Sequence, residues 1–309
     1  MTASLDDLVR AELTEPVDVR VSQMAAAIAA EHPGAARSVL FYGSCLRERQ
    51  LDGLMIDFYL IVSSYRDAYG KRWLAPANRL IPPNVFPFTS DGLLAKYAVL
   101  SEEDFFRLSG PETLSVSVWA RFAQPSRLVW SADAAAAESG IAAVARAAPT
   151  LLSAAAPMMD AHECDPLDLW RKAFALTYSA ELRAERQGRS ASVVETDPDR
   201  YHRFTGPALA AAGIGELAAD GRVRLTGLTD TRRSQSTKLW AKRRRTGKML
   251  SVARLAKATG TYSGGIDYLA WKINRHAGTR IEIKPWQRRW PLIAAFTLLP
   301  RLLKGGAIR

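Results

Sequence analysis

Ser38-Val-Leu-Phe-Tyr-Gly-Ser44 is followed, after a short gap, by Leu54-Met-Ile-Asp-Phe-Tyr-Leu-Ile-Val62. Each apolar run is short and rich in β-branched and aromatic residues, which predicts two strands. The second is apolar on both faces except at Asp57, as expected of a strand inside a sheet. Gly43-Ser44 directly after the first strand supplies backbone N–H donors and a hydroxyl at the start of a helix, parts that can cradle a triphosphate. A carboxylate on the neighbouring strand, Asp57, can hold Mg²⁺ against such phosphates. Anchored phosphates, metal-stabilised charge and an in-line attacking oxygen are the parts of nucleotidyl transfer. A buried Asp57 paired with an arginine and a Ser44 that merely caps a helix would explain the same residues.

Before these strands, Val17 to Glu31 has helical spacing (Val21, Met24, Ile28) and stops at His32-Pro33-Gly34. Val85–Phe88 and Leu94–Leu100 read as strands around a Ser90-Asp91-Gly92 turn, and Ser101 as a helix cap. Ser117–Gln124 and Arg127–Trp130 are expected to be extended, and the Ala-rich Ser131–Pro157 to be helical. Asp165-Pro166 opens an amphipathic helix expected to run through Arg186. Tyr201–Leu217 reads as a helix, Arg222–Leu225 as a short strand, and Lys238–Thr259 and Gly265–His276 as helices. The chain is therefore expected to be α+β. Residues 1–155 form a mixed domain, 156–230 a mostly helical, winged-helix-like domain, and 231–309 a basic region.

The 309 residues are 48% hydrophobic and 24% charged, enough apolar material for a sizeable core, which excludes a disordered or collagen-like chain. Two cysteines and four histidines without HExxH-type spacing argue against a disulfide framework or a zinc hydrolase of that type. The acidic N-terminus has no apolar core of a signal peptide, and Trp290–Leu303 is too short and too interrupted to span a bilayer. Of the net charge of +11, residues 222–309 carry +18 and the remaining 221 carry −7. An acidic body with a basic tail implies an anionic partner, nucleic acid or membrane head groups.

The tracts FYGS…LMIDFYLIV and SDGLLAKYAVLS, the helix Leu176-Thr-Tyr-Ser-Ala-Glu-Leu-Arg183 and the segment Gln235-Ser-Thr-Lys238 together resemble the mitochondrial-type phosphatidate cytidylyltransferases, also called translocator assembly and maintenance proteins. The matches keep the family's order from Ser38 to Trp271. Cys45 stands where the family has a second glycine, and Met55 and Tyr59 flank Asp57 where the wider superfamily carries Asp-x-Asp. The resemblance implies a polymerase-β-type nucleotidyltransferase domain, a winged-helix-like domain and a basic, amphipathic C-terminal region completing the cleft and contacting membrane. The implied reaction is CTP plus phosphatidate giving CDP-diacylglycerol and pyrophosphate, with Mg²⁺ as cofactor.

Carried over residue by residue, Tyr42, Gly43 and Ser44 form the triphosphate loop, Asp57 binds metal, Lys96 faces a phosphate, and Lys238 is a second phosphate contact across the cleft. Asp91 and Glu181 are alternative second carboxylates. Glu181 and Arg183 read equally well as a surface pair on their helix. Trp290, Phe296, Leu299 and Arg301 represent a tail that mixes bulky apolar groups with cations, as a membrane-interface segment does. The expected location is peripheral, on the cytoplasmic face of a bacterial inner membrane or the matrix face of a mitochondrial one, with no stable nucleic-acid partner. The competing readings are a nucleotidyltransferase acting on RNA or protein, whose basic tail grips a polyanion, and a non-enzymatic binding protein on a decayed transferase fold.

Overall fold

The computed structural model describes residues 3–48, 51, 53–181, 193–261 and 283–285. Strands β1 (Ala36–Tyr42), β2 (Met55–Val62), β3 (Asn84–Ser90), β4 (Leu93–Ser101) and β5 (Ser126–Ser131) form a mixed sheet in the order β3-β4-β2-β1-β5. β2 and β4 are parallel; every other neighbouring pair is antiparallel. β3 and β4 are joined by the expected tight turn, with both central residues, Asp91 (φ 50) and Gly92 (φ +77), in the left-handed region that a two-residue hairpin needs. A neighbour on each side, β1 antiparallel and β4 parallel, and buried faces above and below explain why β2 carries almost no polar residue.

One face of the sheet buries Val39, Phe41, Phe58, Leu60, Tyr97 and Val99 beneath helices α2 (Val19–Ala30), α4 (Tyr65–Ala68) and α5 (Leu74–Leu80). The other buries Leu40, Tyr59, Ile61, Ala98 and Leu100 beneath α1 (Leu5–Leu13), α6 (Glu102–Leu108), α7 (Trp119–Phe122), α8 (Ala134–Ala145) and α9 (Ala147–Ala155). α3 (Ser44–Glu48) is the short turn after β1. Ala134–Met158 is long and apolar enough to cross a membrane, but it is mostly buried inside the protein, where its alanines allow close packing.

The second core layer does not stop at residue 155. Leu151 and Leu152 of α9 share it with Leu169, Trp170 and Phe174 of α10 (Pro166–Ala180) and with Tyr201 of α11 (Pro198–Ala212). β6 (Glu163–Cys164), β7 (Gly215–Leu217) and β8 (Val223–Leu225) add an antiparallel sheet in the order β6-β8-β7. Trp240 of α12 (Asp230–Thr261) closes the same core edge-on against Trp119, 6.4 Å between ring centroids.

Three expected elements come out differently. Ser117–Gln124 is not extended: residues 119–122 are helical, because Trp119, Phe122 and Ala123 bury together at a helical spacing. The helix opened by Asp165-Pro166 ends at Ala180, with Glu181 already extended at ψ 153. The Tyr201 helix ends at Gly213, a left-handed cap at φ 63, and Gly215–Leu217 is a strand. The expected helix Gly265–His276 lies outside the described residues.

A buried ion pair ties the first helix to this later part of the chain. Arg200 donates to both carboxylate oxygens of Glu12, one at 3.0 Å, and to the carbonyl of Ala123 at 3.0 Å. The two side chains are 3% and 10% exposed. Removing only one partner leaves an uncompensated charge in the core, so Arg200→Met is expected to cost about 3–5 kcal/mol, while Glu12→Met with Arg200→Met recovers most of it. Denaturant midpoints of the three proteins check this.

Candidate active site

Strand register brings the site together. Pro87, Lys96, Asp57, Tyr42 and Ser126 form one row that crosses all five strands. Residues two apart on a strand share a face, so the next row inward is Val85, Ala98, Tyr59, Leu40 and Leu128. The row one step outward holds Thr89, Leu94 and Met55. Asp57 and Lys96 thus face the same side as Tyr42, at the end of the sheet.

The loop at the end of β1 is pressed against this row. Gly43 has φ +98, and a Cβ there would lie 2.9 Å from Asp57 Oδ2. Glycine is required on both counts, because L side chains rarely adopt that φ and the carboxylate fills the space. Ser44 follows as the first residue of α3, partly exposed. Cys45 points away from the loop: its side chain is buried in the opposite face and its thiol donates to the Met55 carbonyl at 3.4 Å. The Cβ at this position therefore does not crowd the side of the loop that faces Asp57.

Asp57 is a polar group out of place in a sheet interior. Its Oδ1 is buried and accepts no hydrogen bond. Lys96 Nζ lies 3.0 Å from that oxygen, an ion pair whose direction is not that of a hydrogen bond. The side chains are 31% exposed for Lys96 and 19% for Asp57, so the pair opens to solvent on the lysine side.

Cations gather above it. The Arg121 guanidinium on α7 stands 5.1 Å from the Tyr42 ring centre and 5.9 Å from that of Tyr59, and donates to the Tyr59 hydroxyl and the Ser117 carbonyl, both at 3.2 Å. Burial works against its charge, but the neighbouring Tyr59, Tyr42, Glu181 and Asp57 outweigh that and raise its pKa. Burial pushes the Tyr42 hydroxyl well above its ordinary range, with Arg121 opposing and Asp57 adding to the rise. Tyr42 is therefore a neutral wall of the site, packed on Tyr59 and Phe122.

The far end of α12 reaches the same place. Gly247 lets this helix approach α10 so closely that a Cβ would stand 2.1 Å from the Ala180 carbonyl oxygen. Arg254, two turns on, lies 3.8 Å from Glu181 and donates to the Pro82 carbonyl at 2.8 Å and to Ser115 Oγ at 3.3 Å. Lys257 donates to the carbonyls of Ile81 and Pro83. Burial, and next to it Arg254, lower the Lys257 ammonium to about 7.

Tyr42, Gly43, Ser44, Asp57 and Lys96 are thus brought together, and Glu181 joins them through Arg121 and Arg254. Two expected residues are not. Asp91 is at the exposed hairpin tip, bonded by Ser90 Oγ, five residues from Lys96 and so roughly 16 Å away along the strand. Lys238 is exposed and sixteen residues before Arg254 on one continuous helix, roughly 24 Å along its axis. Arg254 occupies the cleft instead. Arg183, Trp290, Phe296, Leu299 and Arg301 lie outside the described residues. Arg121, Arg254 and Lys257 carry no local motif; the basic bias after Arg222 was the only signal for the last two.

Among the described residues no group of three or more His, Cys, Asp or Glu is placed to hold a metal. Mg²⁺ is commonly held by one or two carboxylates with substrate phosphates and water, and the buried, hydrogen-bond-free Oδ1 of Asp57 is an oxygen donor suited to that role. In comparisons with known proteins, no family model matches the chain and no curated protein does.

Two outcomes are expected. Gly43→Ala forces a rare backbone conformation and displaces Asp57, costing about 1–3 kcal/mol in unfolding free energy. For Lys257, the folded chain releases its proton near pH 7 while the unfolded chain keeps it to about pH 10.4. The unfolded state binds more protons in that window, so stability rises with pH across it. Denaturation midpoints from pH 6 to 10 should show this rise in the wild type and a flatter profile in Lys257→Met.

Proposed function

We propose that the protein is a nucleotidyltransferase that moves a cytidylyl group from CTP to phosphatidate at a membrane surface, giving CDP-diacylglycerol and pyrophosphate. The observation that carries the reading is the contact between the Gly43 backbone and Asp57, whose buried Oδ1 lacks a hydrogen bond beside Lys96. A bare loop against a carboxylate, ringed by Lys96, Arg121 and Arg254, suits a ligand with several phosphates and a metal ion. The order β1, Gly-Ser turn, β2 within a mixed sheet supports a polymerase-β-type domain. The pair α10 and α11 with the small antiparallel sheet supports a winged-helix-like second part. CTP and phosphatidate come from the resemblance in the FYGS, LMIDFYLIV and SDGLLAKYAVLS tracts.

In this reading the phosphatidate oxygen attacks the α-phosphorus of CTP, a P–O bond forms, and the bond to the β-phosphate breaks to release pyrophosphate. Mg²⁺, held by Asp57, would screen the phosphate charges. The backbone at Gly43 and the Ser44 hydroxyl orient the triphosphate, and the absence of a side chain at Gly43 lets it approach Asp57. Lys96 neutralises the attacking phosphate, and Arg121 holds its charge whatever the pH of the cleft. Arg254 faces the departing pyrophosphate. One row outward, Met55 and the 53% exposed Leu94 give the cleft an apolar floor, which favours an acceptor with a lipid portion over a polynucleotide. The basic region 231–309, through Trp290, Phe296, Leu299 and Arg301, supplies the membrane contact.

The test is incubation of the purified full chain with each of the four labelled nucleoside triphosphates, phosphatidate and Mg²⁺. Label from CTP is expected in a lipid-soluble product, and Asp57→Asn is expected to lower that rate by at least about 10²-fold, the scale for loss of a group that stabilises transition-state charge, with the fold intact. Label in RNA or protein, or an Asp57→Asn protein as active as the wild type, overturns the proposal.

A further inference from the structure

Among the described residues, the most exposed large apolar side chain, Leu80, is on α5. Leu74 and Asn78 face inward, and Trp73, Pro76 and Leu80 line the opposite side, with Trp73 45% and Leu80 79% exposed. Trp73 and Leu80 are seven residues apart, two turns on one face. Lys71, Arg72 and Arg79 stand exposed around them, and none makes an ion pair among the described residues.

This positive charge is not background. From Ser64 to Ile81 there are four basic residues and one acidic, whereas the other residues up to Gly221 hold 17 basic and 27 acidic. The helix is also held rigidly from beneath. Asn78 donates to the Val99 carbonyl at 2.8 Å and accepts from the Asn84 N–H, and Asn84 donates to the Leu74 carbonyl at 3.1 Å. Trp73 and Leu80 therefore cannot turn inward without breaking buried hydrogen bonds. The loop that follows is gripped by Arg254 and Lys257, and it enters β3 at Asn84, three residues from the Pro87–Lys96 pair, roughly 10 Å from the site.

We infer that the outer face of α5 is a docking surface for an anionic lipid bilayer. Trp73, Pro76 and Leu80 enter the interface while Lys71, Arg72 and Arg79 meet lipid phosphates. A bulky apolar stripe bordered by unpaired cations is what shallow insertion requires. A polynucleotide would use the cations but leave Leu80 in water. The cations that border it, Lys71, Arg72 and Arg79, are not part of the basic region 231–309. It deepens the lipid reading of the active site by bringing that cleft to the bilayer, and it stands or falls on binding rather than turnover.

The experiment is co-sedimentation of the full chain with phosphatidylcholine vesicles, with and without phosphatidylglycerol. Trp73→Ser with Leu80→Ser, and separately Arg72→Gln with Arg79→Gln, are each expected to weaken binding to the anionic vesicles by at least about tenfold. The binding left in the first variant should fall steeply with salt, and that left in the second should not. A dye attached at Leu80→Cys should shift to shorter wavelength on adding anionic vesicles. Variants that bind vesicles like the wild type overturn the inference, as does loss of binding to a single-stranded RNA with vesicle binding intact. Both variants should keep wild-type thermal unfolding and wild-type turnover of a short-chain, water-soluble phosphatidate. Vesicle binding lost in both variants of a chain that transfers no nucleotide supports the inference and overturns only the proposed reaction.

Discussion

The Glu12–Arg200 pair fixes how the helical half of the protein sits on the sheet. Its partners are 188 positions apart, and the arginine also holds the carbonyl of Ala123, the residue that caps the end of α7. Burying two charges has a large desolvation cost, so such a pair is weak evidence for added stability. Its value is direction, because a planar guanidinium satisfies a carboxylate and a carbonyl in one arrangement only. That arrangement sets α7, and α7 places Arg121 over Tyr42 and Tyr59. A cation in the cleft thus depends on an ion pair on the far side of the core.

The site lies where the packing runs out. Along the β1, β2 and β4 strands the inner rows are Leu40, Tyr59 and Ala98, all buried, and the change to Asp57 and Lys96 comes one row further on. Two paired charges remain near the surface there because helices no longer cover them on every side. Gly43 closes on one carboxylate oxygen of Asp57, and the other is buried beside Lys96 without a hydrogen bond.

Much of this was legible in the sequence, for physical reasons. β1, β2, the β3–β4 hairpin and the Ser101 cap are written in local patterns: an apolar run, a turn dipeptide, a hydroxyl before acidic residues. Gly43, Ser44 and Asp57 stand out because they sit at the end or in the middle of such runs, while Lys96 was singled out only by the resemblance of SDGLLAKYAVLS. What stayed hidden depends on distant residues. Ser117–Gln124 looks extended until Trp119 and Phe122 find their core. The Asp165 helix looks longer than it is because nothing in its local pattern stops it at Ala180. Asp91 has the right chemistry but sits on a turn, and Lys238 has the right charge but is too far along a straight helix. Arg121 was invisible, because an arginine in a short helix acquires meaning only through what lies beneath it.

The core that runs from Leu5 to Trp240 has a consequence for synthesis on the ribosome. Trp119 is made 121 residues before the tryptophan that covers it, and Glu12 long before Arg200. At ~5–20 residues per second, that leaves the apolar underside of the first half without its cover for roughly 6 to 24 s. The nascent chain therefore holds a sheet finished on one face and unfinished on the other, with a buried-type glutamate still in water. Its exposure to chaperones, and to aggregation, is set by the order in which the helices emerge.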